Sequence, residues 1–318
     1  MKGIVFDREH WAIVLGGSTG FGLATAQKLA NHGMNIALIH RDRKSAMVQI
    51  ERSFDAIRET GVRLITVNGD ALSAEARCSF LDALAEVSAP RRNVRLLLHS
   101  IAYGNLKPLV PAPPTVWAKP HRARQRLAAA LGIAEDVLAQ SLQPLFGREE
   151  GDPLHYLELT SEPDGDHCLE EEDFGRTVHA MATSLAVWTQ DIFQRGLFAG
   201  SARVIGLTSE GNEVALPSYA AVSAAKGALE AVCRSIAVEL APYGIRANIV
   251  QPGVTDTAAL AKIPGSQHMK AAARLRNPFG RLTTPEDVAN FICLLCTDEA
   301  AWVNGAVIRV DGGERIGA

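Results

Sequence analysis

The chain has 318 residues, 47% hydrophobic and 21% charged, with a formal net charge of −3, which is the composition of an ordinary globular protein. So small a net charge gives no electrostatic reason to expect nucleic acid or a membrane surface as partner. The first apolar run, WAIVLGG, is too short for a signal-peptide core or a membrane span, so a cytoplasmic location is expected. Five scattered cysteines do not form a disulfide framework. Cys293 and Cys296 make a C-x-x-C in FICLLC, but apolar neighbours and the lack of a second ligand pair point to core packing rather than metal or redox chemistry.

Trp11 to Leu15 is short, apolar and followed at once by glycines, which predicts a buried parallel strand. Helical periodicity from Phe21 to His32 stops near Gly33. Strands are then expected at 35–39, 63–67 and 94–99, with helices at 44–60 and 73–87 between them. This alternation predicts βαβ units and a Rossmann-type, doubly wound α/β fold whose parallel sheet is covered on both faces. From about Leu106 to Glu172 the alternation fails. Pro108, Pro111, Pro113, Pro114 and Pro120 interrupt regular structure, and one helix is expected at 123–142 before acidic, Gly/Pro-containing loops. Helices at 174–194, 219–241 and 285–295 then alternate with strands at 203–208, 247–251 and 307–310. The sheet needs strands from both sides of 106–172, so that segment reads as a large insertion into a single domain spanning 1–318.

Gly16, Gly20 and Gly22 lie between the first strand and first helix, interleaved with Ser18, Thr19 and Phe21. Such glycines also serve tight turns structurally. At this place in a βαβ chain they favour a nucleotide site, where backbone approaches a pyrophosphate and the helix N-terminus offers free N–H groups. The second strand runs into Arg41, Asp42, Arg43 and Lys44. A 2′-phosphate wants cations, whereas NADH wants a carboxylate there, so the three basic residues favour NADPH and Asp42 keeps NADH open. Asp70 and Ala71, after the third strand, could meet the adenine, or Asp70 could simply begin a helix.

Tyr219 and Lys226 lie seven residues apart in PSYAAVSAAK, almost two helical turns, so both project from one face roughly 10 Å apart along the axis. A nearby lysine stabilises phenolate and makes tyrosine a better proton donor to a developing oxyanion. Tyrosine and lysine at this spacing can also be packing beside a solvated charge.

The glycine turn, IAYGN after the fourth strand, the tyrosine helix, NIVQPGVTDT and the terminal VDGG together resemble the short-chain dehydrogenase/reductase family over nearly the whole chain except the insertion. Its commoner spacing is Y-x-x-x-K, yet Val222 stands four before Lys226. The Y-x6-K spacing is similar to the enoyl-acyl-carrier-protein reductase branch. A phenol moved back three residues shifts by roughly 4.5 Å along the helix, so it could meet a thioester oxygen while hydride reaches the β-carbon. The resemblance implies reduction of an enoyl thioester on acyl-carrier protein or coenzyme A, in fatty-acid or related acyl-chain synthesis, by a homotetramer. It also implies that Ser100, Ile101 and Ala102 flank the nicotinamide. Gly253 and the Val254 backbone would receive its carboxamide, Thr255 or Thr257 would touch phosphate, and Lys226 would hold the ribose.

Ser209 replaces the second tyrosine of many enoyl reductases. Thr208 falls where ketoreductases carry a catalytic serine, though it could be a simple strand-end residue, and Met181 stands at the family's helical asparagine. A carbonyl reductase or hydroxysteroid-type dehydrogenase is the second reading, and a catalytically silent NADP-binding or scaffold protein the third. The insertion could be a lid or carrier-docking surface, although Leu127, Leu131, Ile133, Val137, Leu138 and Leu142 have the spacing of a helix face packed on the parent domain.

Overall fold

The computed structural model describes residues 4–88, 93–111, 119–142, 168–263 and 266–317. Seven strands form one parallel sheet in the order β3-β2-β1-β4-β5-β6-β7. Their ranges are β1 Trp11–Leu15, β2 Asn35–His40, β3 Leu64–Asn68, β4 Val94–His99, β5 Phe198–Leu207, β6 Arg246–Pro252 and β7 Val307–Val310. Strands β1 to β4 precede the 106–172 segment and β5 to β7 follow it, so both flanks build the same sheet. The order reverses between β1 and β4, and ligands of such sheets bind outside the carboxyl ends at that point. Leu15 pairs with Ile39 on one side and His99 on the other, and His99 pairs with Gly206. Gly16, Ser100 and Leu207 therefore leave the sheet close together.

Alternate side chains of the central strands feed two layers. Trp11, Ile13 and Leu15 face Leu84 of α3 (Ala74–Ser88), Trp188 of α7 (Ser184–Gln194) and Leu229 of α8 (Ala220–Glu239). Ala12 and Val14 face Leu29 of α1 (Gly20–Asn31), Phe54 of α2 (Met47–Arg58) and Ile292 of α10 (Pro285–Leu295). This is the doubly wound arrangement expected from the alternation. Cys293 and Cys296 are fully buried in the second layer, and burial pushes the Cys296 thiol up to about 12, so it packs as a small hydrophobe. Beneath them, the buried guanidiniums of Arg95 and Arg203 donate to the Cys296, Leu295 and Thr297 carbonyls. They satisfy the open carbonyls that end α10.

Several boundaries differ from expectation. The single helix expected at 123–142 is two, α4 (Lys119–Leu131) and α5 (Glu135–Leu142), because Gly132 takes φ +67° between them. Ala128, Leu138 and Ile133 form a small cluster of their own, while Leu127, Leu131 and Val137 are exposed. The Leu142 side chain lies outside the described residues. The helix expected at 174–194 is α6 (Glu171–Val178) joined to α7 by a π turn at His179–Thr183. A helix not expected from the sequence, α9 (Ser266–Arg276), follows β6; its polar, alanine-rich repeat has little apolar periodicity to reveal it. The flanks of the 106–172 segment meet: Leu169 N–H donates to the Pro108 carbonyl at 2.8 Å, and Asn105 and Lys107 both bind Asp173. No helix among the described residues is long and apolar enough to cross a membrane.

Candidate active site

The β1–α1 turn is shaped for close approach. Gly16 takes φ +84°, and a Cβ there would lie 2.6 Å from the Ser100 carbonyl oxygen; a Cβ on Gly22 would collide with the Gly16 carbonyl. Gly20, at φ +55°, starts α1, and Thr19 caps it without a side-chain hydrogen bond. The helix thus presents unengaged N–H groups and its positive end to the crevice, with Ser18 buried beside them. Gly17, which the sequence reading passed over, is equally constrained, since a Cβ would meet Leu38 Cβ at 2.8 Å. A dinucleotide pyrophosphate fits this cradle: the glycines let the turn close tightly on β2, β4 and α1, and the α1 N–H groups are left facing the crevice.

At the far end of the crevice, Arg41 donates to Asp70 at 3.0 Å and lies 5.0 Å over the Tyr103 ring. The other Asp70 oxygen accepts the Leu72 N–H in a local turn ahead of α3, whose start is capped by Ser73. Asp42 binds His40 Nδ1 at 2.8 Å and exchanges bonds with Asn68. Arg43 and Lys44 are exposed. The Ala71 carbonyl is held by the Trp188 indole at 2.9 Å.

One cavity of about 340 Å³ opens beside this crevice. Phe21, Ser100, Ile101, Ala102, Tyr219 and Lys226 all contribute to its wall, as do Thr208, Gly253, Val254, Thr255 and Thr257. Leu106, Met181, Leu216, Val222, Ile263 and Met269 give it an apolar side. Sequence-distant candidates are thus brought together, while Arg41, Arg43, Lys44 and Asp70 lie outside that wall.

Tyr219 is not inside the helix, as its spacing suggested, but at its N-cap, and Ser218 before it takes φ +61°. A non-glycine residue in that region costs about 1–3 kcal/mol, and it turns the chain so that the phenol enters the cavity. The Ser223 N–H still donates to the Tyr219 carbonyl, so the phenol keeps its place two turns ahead of Lys226. Lys226 is buried, donates to the Leu207 carbonyl at 2.7 Å, and is lowered by burial to about 8, with Glu230 opposing. Burial raises the Tyr219 phenol above its ordinary range; Ser209 opposes this and Glu210 reinforces it. The lowering expected from Lys226 is not found, because its ammonium is turned to the Leu207 carbonyl and the ring is desolvated.

Thr208 also departs from expectation. Its hydroxyl donates to Glu230 Oε1 at 3.0 Å, which accepts Asn212 Nδ2 as well. The hydroxyl beside the phenol is that of Ser209, buried and without a hydrogen bond of standard geometry. Consecutive extended residues point opposite ways, so the one-residue difference decides which hydroxyl is available. Sequence reasoning also missed Gly211. Its backbone lies against the edge of the Tyr219 ring, and a Cβ would come within 2.3 Å of the ring carbon Cε1. Ser223 Oγ clamps its carbonyl.

At the end of β4, His99 Nε2 meets Ser184 Oγ at 2.8 Å, and that hydroxyl donates to the Ala180 carbonyl in the π turn. Burial, then the charge of Lys226, lowers His99 to about 3, so it is a neutral donor. The π turn carries Met181 to the cavity wall, whereas His179 turns away to Thr183. At the β6 end, the Val254 N–H donates to Glu314 Oε2 at 2.9 Å. The expected carboxamide site therefore lacks that donor. Thr255 Oγ1 donates to the Gly253 carbonyl. Thr257 lies 3.7 Å from where a Gly20 Cβ would sit, next to the phosphate cradle.

Residues 163–314 match a family model described as enoyl-(acyl carrier protein) reductase. The cis-4-hydroxycyclohexanecarboxylate dehydrogenase of Sinomonas cyclohexanicum is 28% identical over 96% of both chains; other curated relatives match over 43–53% of their own length. The chain belongs to the short-chain dehydrogenase/reductase family. Its fold is that of solved members. A short-chain dehydrogenase from Burkholderia cenocepacia, in complex with NADP, superposes with TM-score 0.66 at 20% identity, covering 96% of this chain and 98% of that one. An enoyl-(acyl-carrier-protein) reductase from Anaplasma phagocytophilum, in complex with NAD, gives TM-score 0.66 at 18% identity, covering 97% and 93%. The protein is accordingly an oxidoreductase of this family.

Proposed function

We propose that this oxidoreductase reduces the 2,3-double bond of an enoyl thioester, carried on acyl-carrier protein or coenzyme A, with NADPH as preferred reductant. The observation that carries the reading is the placement of Tyr219 at the start of α8, seven residues before Lys226. Apolar Val222 stands between them on the same cavity wall, where the commoner arrangement would put the phenol. The match to an enoyl reductase family model supports it. Gly16, Gly20, Gly22 and the α1 N-terminus would hold the pyrophosphate, with Arg43 and Lys44 toward a 2′-phosphate. The bound nicotinamide supplies hydride.

The chain's own groups do the rest. Tyr219, kept protonated by burial, donates to the thioester oxygen as negative charge develops there, and the enol so formed returns to the thioester by losing its O–H proton as the α-carbon gains one. Gly211 packs on the edge of the ring and fixes its place, and Lys226, on the same cavity wall, would hold the nicotinamide ribose. The apolar wall of Leu106, Met181 and Val222 takes the acyl segment and keeps water from the reacting carbon.

A second reading, interconversion of an alcohol and a ketone, has its own support in the buried Ser209 hydroxyl beside the phenol and in the likeness to a hydroxycyclohexanecarboxylate dehydrogenase. Turnover of enoyl and 3-keto thioesters with NADH and NADPH separates the two. Activity on the enoyl thioester is expected, reduced about 10²- to 10⁴-fold in Tyr219→Phe. Activity on the ketone alone would overturn the first reading, and undiminished turnover by Tyr219→Phe would remove the phenol from both.

A further inference from the structure

Three stretches distant in sequence meet at one guanidinium. Arg276, the last residue of α9, donates from the same Nη2 to Glu210 Oε1 and to Glu314 Oε1, each at 3.1 Å. Glu314 is 2% exposed, and its other oxygen accepts the Val254 N–H. Its entry depends on Gly253: a Cβ there would lie 2.7 Å from Glu314 Oε2. On the other arm, Glu210 follows Ser209 and opens the short turn at Glu210–Asn212 whose Gly211 supports the Tyr219 ring. Glu210 and Glu314 both reach the cavity wall. Two carboxylates facing each other across one cation would repel if it left, in surroundings that screen them poorly.

We infer that Arg276 is a positioning residue that fixes the turn under Tyr219 relative to the Gly253–Val254 loop, setting the proton donor against the nicotinamide side of the cavity. Arg276 touches no reacting atom in this role. It acts through Glu210 and Gly211 on one wall, and through Glu314 and Val254 on the other. A guanidinium suits it because it keeps its charge when half-buried and its planar Nη2 directs two N–H groups, one to each carboxylate, whereas a lysine ammonium is a flexible point charge. The structural part of the inference stands on the hydrogen bonds alone; only its kinetic consequence rests on the proposed role of Tyr219.

Amide hydrogen exchange on the intact chain tests it without cofactor or substrate. In Arg276→Met, peptides spanning 209–219 and 252–258 should both exchange about tenfold faster or more, with peptides of β1 to β4 unchanged. Arg276→Lys should recover part of the protection. Acceleration confined to α9, or to one of the two walls, would overturn the inference. Glu210→Ala cuts only the arm to the turn, and serves alone if Arg276→Met does not fold. It should loosen 209–219 and leave 252–258 protected, and an unchanged 209–219 would overturn the inference. With a substrate the wild type turns over, Arg276→Met should lower kcat about tenfold or more with KM little changed; unchanged kcat would also overturn it. A wild type inactive on enoyl thioesters would count against the proposed function, while the exchange result would still decide the role of Arg276.

Discussion

The two ends of the ligand crevice handle charge in opposite ways. Beside β2 and β3, Arg41 and Asp70 pair across open solvent, with side chains 56% and 42% exposed, and such pairs contribute about 0–1 kcal/mol. Beside β5 and β6, Lys226 and Glu314 are 6% and 2% exposed and both are shifted toward neutrality by burial. The exposed end can exchange partners when a ligand arrives. The buried end holds its groups in place before one does. Recognition of a phosphate tolerates the first arrangement, whereas proton transfer to a substrate oxygen requires the second.

The largest effects belong at the buried end. Lys226→Met should lower kcat about 10²- to 10⁴-fold while the chain still folds. Its thermal stability carries a sharper test. Lys226 has a folded value of about 8 against an ordinary 10.5. Below about pH 8 it is protonated in both states, and the cost of burying the charge is felt in full. Between 8 and 10.5 the folded state gives up the proton that the unfolded state keeps, so stability rises with pH across that window. The Tm of the wild type should therefore climb relative to Lys226→Met from pH 8 to 10. Parallel Tm curves would mean that the ammonium is not desolvated, and the contrast between the two ends would lose its main support.

Gly211→Ala should have an intermediate effect. The added methyl overlaps the Tyr219 ring, which is only 8% exposed and has little room to retreat. Overpacking of this kind costs about 1–3 kcal/mol, and a ring displaced by a fraction of an ångström should lose about tenfold or more in kcat. Gly175, on the exposed side of α6, has nothing within 4 Å of its would-be Cβ, so Gly175→Ala should stabilise the helix by about 0.5–1 kcal/mol. Kinetics and thermal melts on the pair check whether it is the ring, and not glycine replacement in general, that matters. A fully active Gly211→Ala would show that the turn does not locate the phenol.

These two ends also differ in how far sequence reveals them. The sheet, the order of its helices and the glycine turn were legible because each is written in a continuous stretch: a period, a run of β-branched residues, glycines between a strand and a helix. Tyr219 and Lys226 were legible for the same reason, seven residues apart in one continuous stretch. What escaped was set by contacts between stretches. Glu314 and Glu210 are 104 positions apart in the chain, and nothing local marks either as a partner of Arg276. Ser209 rather than Thr208 faces the phenol because Glu230, from α8, claims the threonine. The Val254 N–H reads as free until Glu314 is seen to accept it. Gly211 carried a weak local signal, a glycine just past a strand end, but its reason lies in a ring eight residues later.

The smallest effect tests the exposed end. Arg43 and Lys44 carry exposed charges next to the β2 terminus, whereas Asp42, the carboxylate that a ribose would need, is bound to His40. A 2′-phosphate binding between the two cations would gain about 1–2 kcal/mol from both, at solvent-exposed strength. Arg43→Ala with Lys44→Ala should then raise the KM for NADPH about tenfold, and the difference should shrink at high salt because exposed charges are screened. Stability should move by no more than about 0.5 kcal/mol, since neither side chain is packed. The discriminating measurement is the KM for NADH, whose ribose has no phosphate to lose. If it stays constant, the cations read the 2′-phosphate. If both values rise together, the cations act on the pyrophosphate or on the general field of the crevice. The preference for NADPH would then have no support at β2, and Asp42 would have to be released from His40 to serve NADH.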